Sequence, residues 1–452
     1  MALAYSEAIE RLLHIAQHQR NSRLEYQRHV PLGESTGGVV AHDLVSPKSI
    51  PEYDTSAMDG YAIYSGATAG AAPETPVLFR VEGILAAGDL PKELPKPITN
   101  RDGQVEPCVE IMTGAIFPEC GPTGKPYDAC VKVEDAVLVD SPHQGHSGRH
   151  ILVVKPIAPN ANKRFANSDI CKGDIIISKG EAVRPCHIMT LAAVGFEFIP
   201  LIRKPRVAIF STGRELVNGK GATRDANGPY LAATAREMGL DVDFLGIVDD
   251  DAARLHCQAE KMANSGLYDL VITSGAVSKG KFDHVRQVLE QLDAEIVFHG
   301  LAIRPGHPAL FALLPTKGAR KTAFFGLPGN PGAAAACFRF LTVPYLRALQ
   351  GQPPEPPILA RLSSPRGVCN LKSAPQTDCF RLGLLSTTLE GQLTVQSNPD
   401  HSPAKLGPFL SANCWIHLKS DFFPPPTSSG LLVECYPVSP AGILNLQPSY
   451  YN

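Results

Sequence analysis

Arg206-Val-Ala-Ile-Phe210, and the Ser-Thr-Gly213 that follows it, decide how the middle of this chain folds. A mostly apolar run ends at a turn of small and polar residues. That is the pattern of a buried strand feeding a strand-to-helix loop. Downstream the spacing predicts a helix near 229–238, a strand at 241–247, a helix at 251–264 and a strand at 268–273. A helix at 283–292, a strand at 294–298 and a last helix at 332–348 follow. Strands alternating with helices predict a central α/β domain over 205–350, its parallel sheet covered on both faces. Ligands in such sheets bind beyond the carboxyl ends of the strands. Ser211-Thr-Gly213 and Thr273-Ser-Gly275 lie at those ends.

Working outward, residues 4–18 place Ile9, Leu12, Leu13 and Ala16 at helical spacing, with Ser6 as a cap and Glu7 in the first turn. An amphipathic helix that packs on a core is expected. Residues 1–45 and 155–204 read as a mixed N-terminal and linker domain. Residues 46–154 are rich in Pro and Gly, with short β-prone runs at Val77–Val81 and Ala129–Val133, and read as an all-β insert. Loops around 101–109, 120–127 and 141–149 read as surface insertions. Pro353, Pro354, Pro356 and Pro357 form a stiff linker. Beyond it, runs such as Gly391–Val395 and Gly430–Cys435 suggest a small β-barrel or sandwich over 351–452. The whole is a multidomain α/β plus β protein. Its 452 residues suit three or four domains.

Composition excludes several classes. With 44% hydrophobic and 19% charged residues the chain reads as an ordinary globular protein. A net charge of −2 gives no electrostatic reason to expect nucleic acid or an anionic membrane. No apolar run approaches the about 18 residues of a membrane span. The N-terminus has early acids and no basic, long-apolar leader, which argues against a secretory signal. The 11 cysteines are dispersed, with no Cys-x-x-Cys pair. Reduced thiols in the cytoplasm fit them better than disulfides or a zinc site.

Several segments carry chemistry. In Ser56-Ala-Met-Asp-Gly-Tyr-Ala62, Asp59 is either a hydrogen-bonded turn former or a ligand for a cation, with Gly60 permitting a tight backbone. Ser274-Gly-Ala-Val-Ser278 lies between a strand and a helix, where small residues let backbone N–H groups face an anion. The ordinary reading is loop punctuation. Gly329-Asn-Pro-Gly332 leads into a helix with Pro331 near its start, as a simple helix opening would. Arg304, in Arg304-Pro-Gly-His307, is a solvated charge or an oxyanion ligand. Arg164 and Asp169 share the segment Arg164-Phe-Ala-Asn-Ser-Asp-Ile170. Glu215, Asp250 and Asp283 follow strands or open helices, where a carboxylate can cap as well as bind Mg²⁺. Asp249 and Asp251 flank Asp250, so that triplet also reads as a cap.

Five segments in this order resemble the molybdopterin molybdenumtransferases, the molybdenum insertases that include the E domain of gephyrin. They are the Ser56–Ala62 stretch, Met112-Thr-Gly-Ala115, Phe210-Ser-Thr-Gly-Arg-Glu-Leu216, Ile272–Ser278 and Gly326-Leu-Pro-Gly-Asn-Pro331. The resemblance covers about residues 1–350 well and 351–452 weakly. It implies insertion of molybdate into adenylylated molybdopterin with release of AMP. It also implies Mg²⁺, a homodimer whose site lies between the β insert of one subunit and the α/β domain of the other, and an adenylyltransferase on a separate chain. The implied catalytic residues are Asp59, Thr113, Asp169, Glu215, Asp250 and Asp283, with Asp59, Glu215, Asp250 and Asp283 as metal ligands. Arg164, Thr212, Ser274, Gly275, Ser278, Arg304, Pro305, Pro328, Asn330 and Pro331 are the implied substrate-binding set.

The departures from the family pattern cluster around the pocket. Arg214 stands where an Asp is usual, Ala276 where a Gly is, and Gly300 aligns with a Lys. Lys281 sits where an acid or small polar residue is common. Arg304 and His307 take the places of two lysines, Gly332-Ala333 replaces Val-Ser, and Asp225-Ala-Asn227 lacks a hydroxyl. Two alternatives to the insertase therefore stand: a non-catalytic scaffold on the same fold, or a diverged paralogue acting on another substrate.

Overall fold

A computed structural model describes residues 2–23, 28–90, 105–121, 124–139, 148–217, 223–249, 251–275, 284–317, 320–363, 376–420, 431–440 and 446–448. The chain divides into two compact units. One is formed by Met1–His42, Ser178–Pro185 and Phe198–Asn452, the other by Asp43–Ile177 and Cys186–Glu197.

In the first unit the α/β alternation is realised. Helix α1 spans Tyr5–Arg23. It begins before Ser6, which therefore lies inside the helix and does not cap it. Ala8, Leu12 and Ala16, four apart, are fully buried on one stripe. The central sheet contains β1 (Arg206–Thr212), β2 (Asp241–Val248), β3 (Leu270–Ser274), β4 (Glu295–His299), β5 (Leu310–Pro315) and β6 (Lys321–Leu327), in spatial order β2-β1-β3-β6-β5-β4. The first four of that order are mutually parallel. β5 runs antiparallel to both β6 and β4, so the parallel block carries an antiparallel extension. β5 and β6 have no counterpart in the sequence reading, although Leu310-Phe-Ala-Leu-Leu314 is the continuous apolar run expected of a strand buried on both faces.

Alternation along β1 sorts its side chains between two cores. Val207 and Ile209 join α1 and helix α2 (Asn227–Glu237), while Ala208 and Phe210 join helices α3 (Ala252–Ser265) and α4 (His284–Gln291). The last helix, expected as one piece, is helix α5 (Pro331–Cys337), a π-helical turn at Phe338–Thr342, and helix α6 (Val343–Leu349). Pro344 has no N–H, and its ring displaces the carbonyl four residues back; the wider π turn absorbs both effects.

The chain ends in a closed barrel. Strands β7 (Ile358–Leu362), β8 (Asp378–Thr387), β9 (Leu393–Ser397), β10 (Cys414–Leu418) and β11 (Leu432–Pro437) pair around the ring β8-β9-β7-β11-β10, and β10 pairs back to β8. Arg304 lies in a short strand, Ile303–Arg304, that adds alongside β8, opposite Cys379.

The second unit is built on a six-stranded mixed sheet, in the order Ala129–Lys132, Gly60–Ile63, Glu106–Ile111, Val77–Leu85, His150–Val153, Ala136–Val139. Glu106–Ile111 corrects the reading of 101–109 as a surface insertion: Cys108, Val109 and Ile111 are buried in mid-sheet. Pro107, near the strand's start, disguised it as a loop.

Candidate functional site

In the second unit the Ser56–Gly60 segment is clamped between two loops. Ser56 N donates to Ala115 O at 3.0 Å, and Gly114 N donates to Ser56 O at 2.8 Å. On the other side Ala57 N donates to Asn162 O at 2.9 Å, and Thr55 pairs with Arg164. This brings four of the implied residues onto the same short segment. Asp59 Oδ1 accepts from Thr113 N at 2.7 Å and from Thr113 Oγ1 at 2.9 Å. Those two donors hold its carboxyl below the usual carboxylate range. Asp59 Oδ2 carries no hydrogen bond among the described residues. Arg164 and Asp169 pair with each other at 2.9 Å, both exposed. Gly60 is required here by close approach: a Cβ would lie 1.9 Å from the carbonyl oxygen of Val131.

In the first unit three loops converge at the carboxyl ends of β1, β3 and β6. Thr212 Oγ1 donates to Ser274 O at 3.2 Å, and Gly275 N donates to Leu327 O at 3.0 Å. Ser274 Oγ donates to Pro328 O at 3.2 Å. Asn227 Nδ2 ties the set together, donating to Ser274 Oγ at 2.7 Å and to Gly329 O at 2.8 Å. Gly275, at φ 99°, passes so close to Thr212 that a Cβ would lie 2.4 Å from its carbonyl oxygen. Ser211 Oγ and Gly228 N both donate to Asp225 Oδ1, at 2.9 and 3.0 Å. Asp225 Oδ2 is buried and unpartnered among the described residues.

Beside these loops lies a cationic cluster that the sequence reading missed except for Arg304. Arg381 Nη1 lies 2.6 Å from His401 Nε2. Burial and Arg304 depress the Arg381 pKa, opposed by Cys379. Burial first, and the Arg381 guanidinium second, hold the His401 pKa down to about 4. A small cavity of about 40 Å³ is lined by Arg381, His401 and Lys405 together with Pro305 and Gly332. The α5 start is closed from that side: Gly332 N donates to Pro403 O at 2.7 Å. His307 is anchored to its own loop, its Nδ1 lying 2.6 Å from Leu301 O. Arg381 and His401 belong to the weakly matching C-terminal part, so the motifs gave no signal for them.

Of the four implied metal ligands, Asp59 and Glu215 lie among the described residues. Asp250, Ser278 and Asp283 lie outside the described residues, as do Ala276 and Lys281. Glu215 is exposed in a short helix, Arg214–Val217, that follows β1, its carboxylate folded back over Gly213. Asn330 precedes α5 and its side chain makes no capping bond; Pro331 takes the first helical position. Among the described residues no three His, Cys, Asp or Glu side chains converge as a metal-binding group. Asp59 and Glu215 are hard oxygen donors of the kind Mg²⁺ takes one or two at a time, alongside phosphate and water.

Comparison with known proteins gives consistent results. Residues 3–195 match the MoeA N-terminal region (domain I and II), and residues 208–348 match a probable molybdopterin binding domain. A molybdopterin molybdenumtransferase of Synechococcus elongatus is 32% identical over 92% of this chain and 96% of its own. Another, from Haemophilus influenzae, is 31% identical over 86% of this chain and 89% of its own. The crystal structure of a molybdopterin biosynthesis MoeA protein from a Pyrococcus species superposes with a TM-score of 0.68 at 27% identity, covering 97% of this chain and 99% of that one.

Proposed function

Because the chain belongs to the molybdopterin molybdenumtransferases, transferases of molybdenum cofactor biosynthesis, we propose that it performs the metal-insertion step. In this reading molybdate enters adenylylated molybdopterin and AMP leaves. The observation that carries it is the gathering of Arg304, Arg381 and His401 beside the α5 start. Two guanidiniums that raise each other's energy are stabilised by an anion, and a tetrahedral dianion takes several donors at once. Ser274, Gly275 and Asn330 supply a polar cradle next to them for the pterin's phosphate.

The remaining roles are those that the family resemblance implies. Asp59, held anionic by Thr113, and Glu215, with Asp250 and Asp283, would hold Mg²⁺, which neutralises phosphoryl oxygens as the adenylyl link breaks. Arg164 and Asp169 lie on the segment that fixes Asp59 and would orient substrate. We further propose a homodimer, the second-unit residues of one copy serving the first-unit loops of the other, in the cytoplasm. The adenylylated substrate would come from a separate adenylyltransferase. Ten free cysteines among the described residues suit a reducing compartment.

The test is complementation of a cell lacking its insertase, scored by a molybdoenzyme activity, with Asp59→Asn in parallel. Rescue by wild type and not by the variant supports insertion; a fully folded wild type that never rescues overturns it. Light scattering on active protein decides the dimer. A second reading, a paralogue for another anion, is favoured by the α5 start, where Pro403 O occupies a backbone donor that an oxyanion would use.

A further inference from the structure

The central sheet of the first unit has a cavity at its other end. Opposite the Ser274 and Asn330 loops lies a cavity of about 930 Å³, within the range of small-molecule sites. Strand β6 links the two: Lys321 and Thr322 line the cavity, and Leu327 leads into the loop at Pro328. Its seven residues, at about 3.3 Å each, separate them by roughly 20 Å. One small ligand cannot occupy both.

The walls are fixed to one another. Gln19 Nε2 of α1 donates to Lys321 O at 3.0 Å, and the Tyr345 hydroxyl of α6 donates in turn to Gln19 Oε1. Thr322 Oγ1 donates to Tyr268 O at 3.0 Å, which ties β6 to the turn before β3. The cavity is thus formed before any ligand arrives.

Its charge has a sign. Of the two acids on its wall, Glu295 pairs with Lys321 at 2.7 Å. Asp269 accepts from Arg203 at 3.1 Å and from Arg206 N at 2.8 Å. Lys317 and Arg320 also face the cavity, and Lys317 has no ion pair among the described residues. His14 and His18, four apart on the exposed side of α1, present two imidazoles, and Ile15, Leu313 and Leu349 supply apolar wall. A cationic rim over an apolar and imidazole-lined wall suits an anion with a flat body.

We propose that this cavity binds a phosphate monoester carried on a flat heterocycle, the size of a nucleoside monophosphate. The phosphate sits at Lys317 and Arg320, and the ring lies against Ile15, Leu313 and the imidazoles of His14 and His18. None of the residues assigned to oxyanion binding takes part, so the two sites fail or stand separately.

The experiment is calorimetric titration of the full chain with AMP, beside adenosine and inorganic phosphate. Three proteins are compared: wild type, the double variant Lys317→Glu with His18→Ala, and Arg304→Ala. All the substituted side chains are exposed, and a melting curve confirms each fold. The expected result is an AMP component weakened by about tenfold or more in the double variant and kept in Arg304→Ala, with adenosine and phosphate each binding about tenfold more weakly than AMP. No AMP binding to wild type overturns the site. So does AMP binding that survives unchanged in the double variant, whatever Arg304→Ala does. Equal binding of adenosine overturns the phosphate assignment.

Discussion

Asp59 Oδ1 takes both donors of Thr113, the backbone N–H at 2.7 Å and the hydroxyl at 2.9 Å. Two motifs far apart in sequence therefore act as one group. The hydroxyl and the N–H favour the charged carboxylate, which lowers the Asp59 pKa. A lowered carboxyl pKa contributes stability that is present above its unfolded value and is lost as pH falls through the folded one.

Thr113→Val should raise the pKa of Asp59 towards an ordinary aspartate, because the hydroxyl donor goes and the N–H stays. An NMR titration of the Asp59 carboxyl carbon reads this directly. An unchanged midpoint would separate the two residues. Asp59→Asn should abolish most insertion with little change in melting temperature, since the side chain is exposed.

Arg304→Ala should weaken molybdate or tungstate binding by about 1.5–3 kcal/mol, the value of a hydrogen bond to a charged group. Equal affinities for wild type and variant in a direct titration would place Arg304 outside the anion site.

His401 should give the anion site a pH signature. Its folded pKa of about 4 lies below the 6.5 of a free imidazole, so the unfolded chain binds the extra proton first. Stability should therefore fall as pH drops from about 6.5 towards 4, and His401→Gln should flatten that slope in urea denaturation. Bound molybdate should raise the His401 pKa, since an anion offsets the Arg381 charge. A histidine titration unmoved by molybdate would remove His401 from the site.

Gly332→Val should destabilise the protein by about 1–3 kcal/mol, because its Cβ would stand 3.0 Å from Pro403 O and 3.2 Å from Pro403 Cα. The obstacle is the neighbouring segment; a left-handed backbone is not involved, since Gly332 is absent from the positive-φ glycines. Ala333→Ser alone should keep stability and improve turnover at low molybdate, if the chain is an insertase. Cofactor formation against molybdate concentration for wild type and both variants decides this, and loss of the native activity in Ala333→Ser favours the paralogue.

What could be read from the sequence followed the strength of local patterns. The α/β alternation from Arg206 onward was legible because its apolar runs close on turn or capping residues, Ser211-Thr-Gly213, Asp249-Asp-Asp251 and Thr273-Ser-Gly275. Ser274 and Gly275 were legible for the same reason, and the structure brings them together with Thr212 and Pro328. β5 and β6 escaped because two-sided burial erases alternation, leaving apolar runs without a period. Arg381 and His401 escaped for another reason. They meet only when a barrel strand and the loop after β9 fold beside Arg304, and no spacing in the chain announces that pairing. The π turn before Pro344 was hidden inside what periodicity reads as unbroken helix.

The ring of β8, β9, β7, β11 and β10 has one further consequence. A strand at the border of an open sheet can peel away alone, whereas every strand of a closed ring is held on both sides. Arg381 lies on β8, where it pairs with Ile416 of β10, two residues before the ladder to β9 begins at Gly383. Fluctuations that would free β8 as a whole must break the β9 and β10 ladders together. Amide exchange around the barrel should then be concerted, with β8 among its slowest strands, and the cationic cluster should be lost in one step on heating, with no gradual softening beforehand.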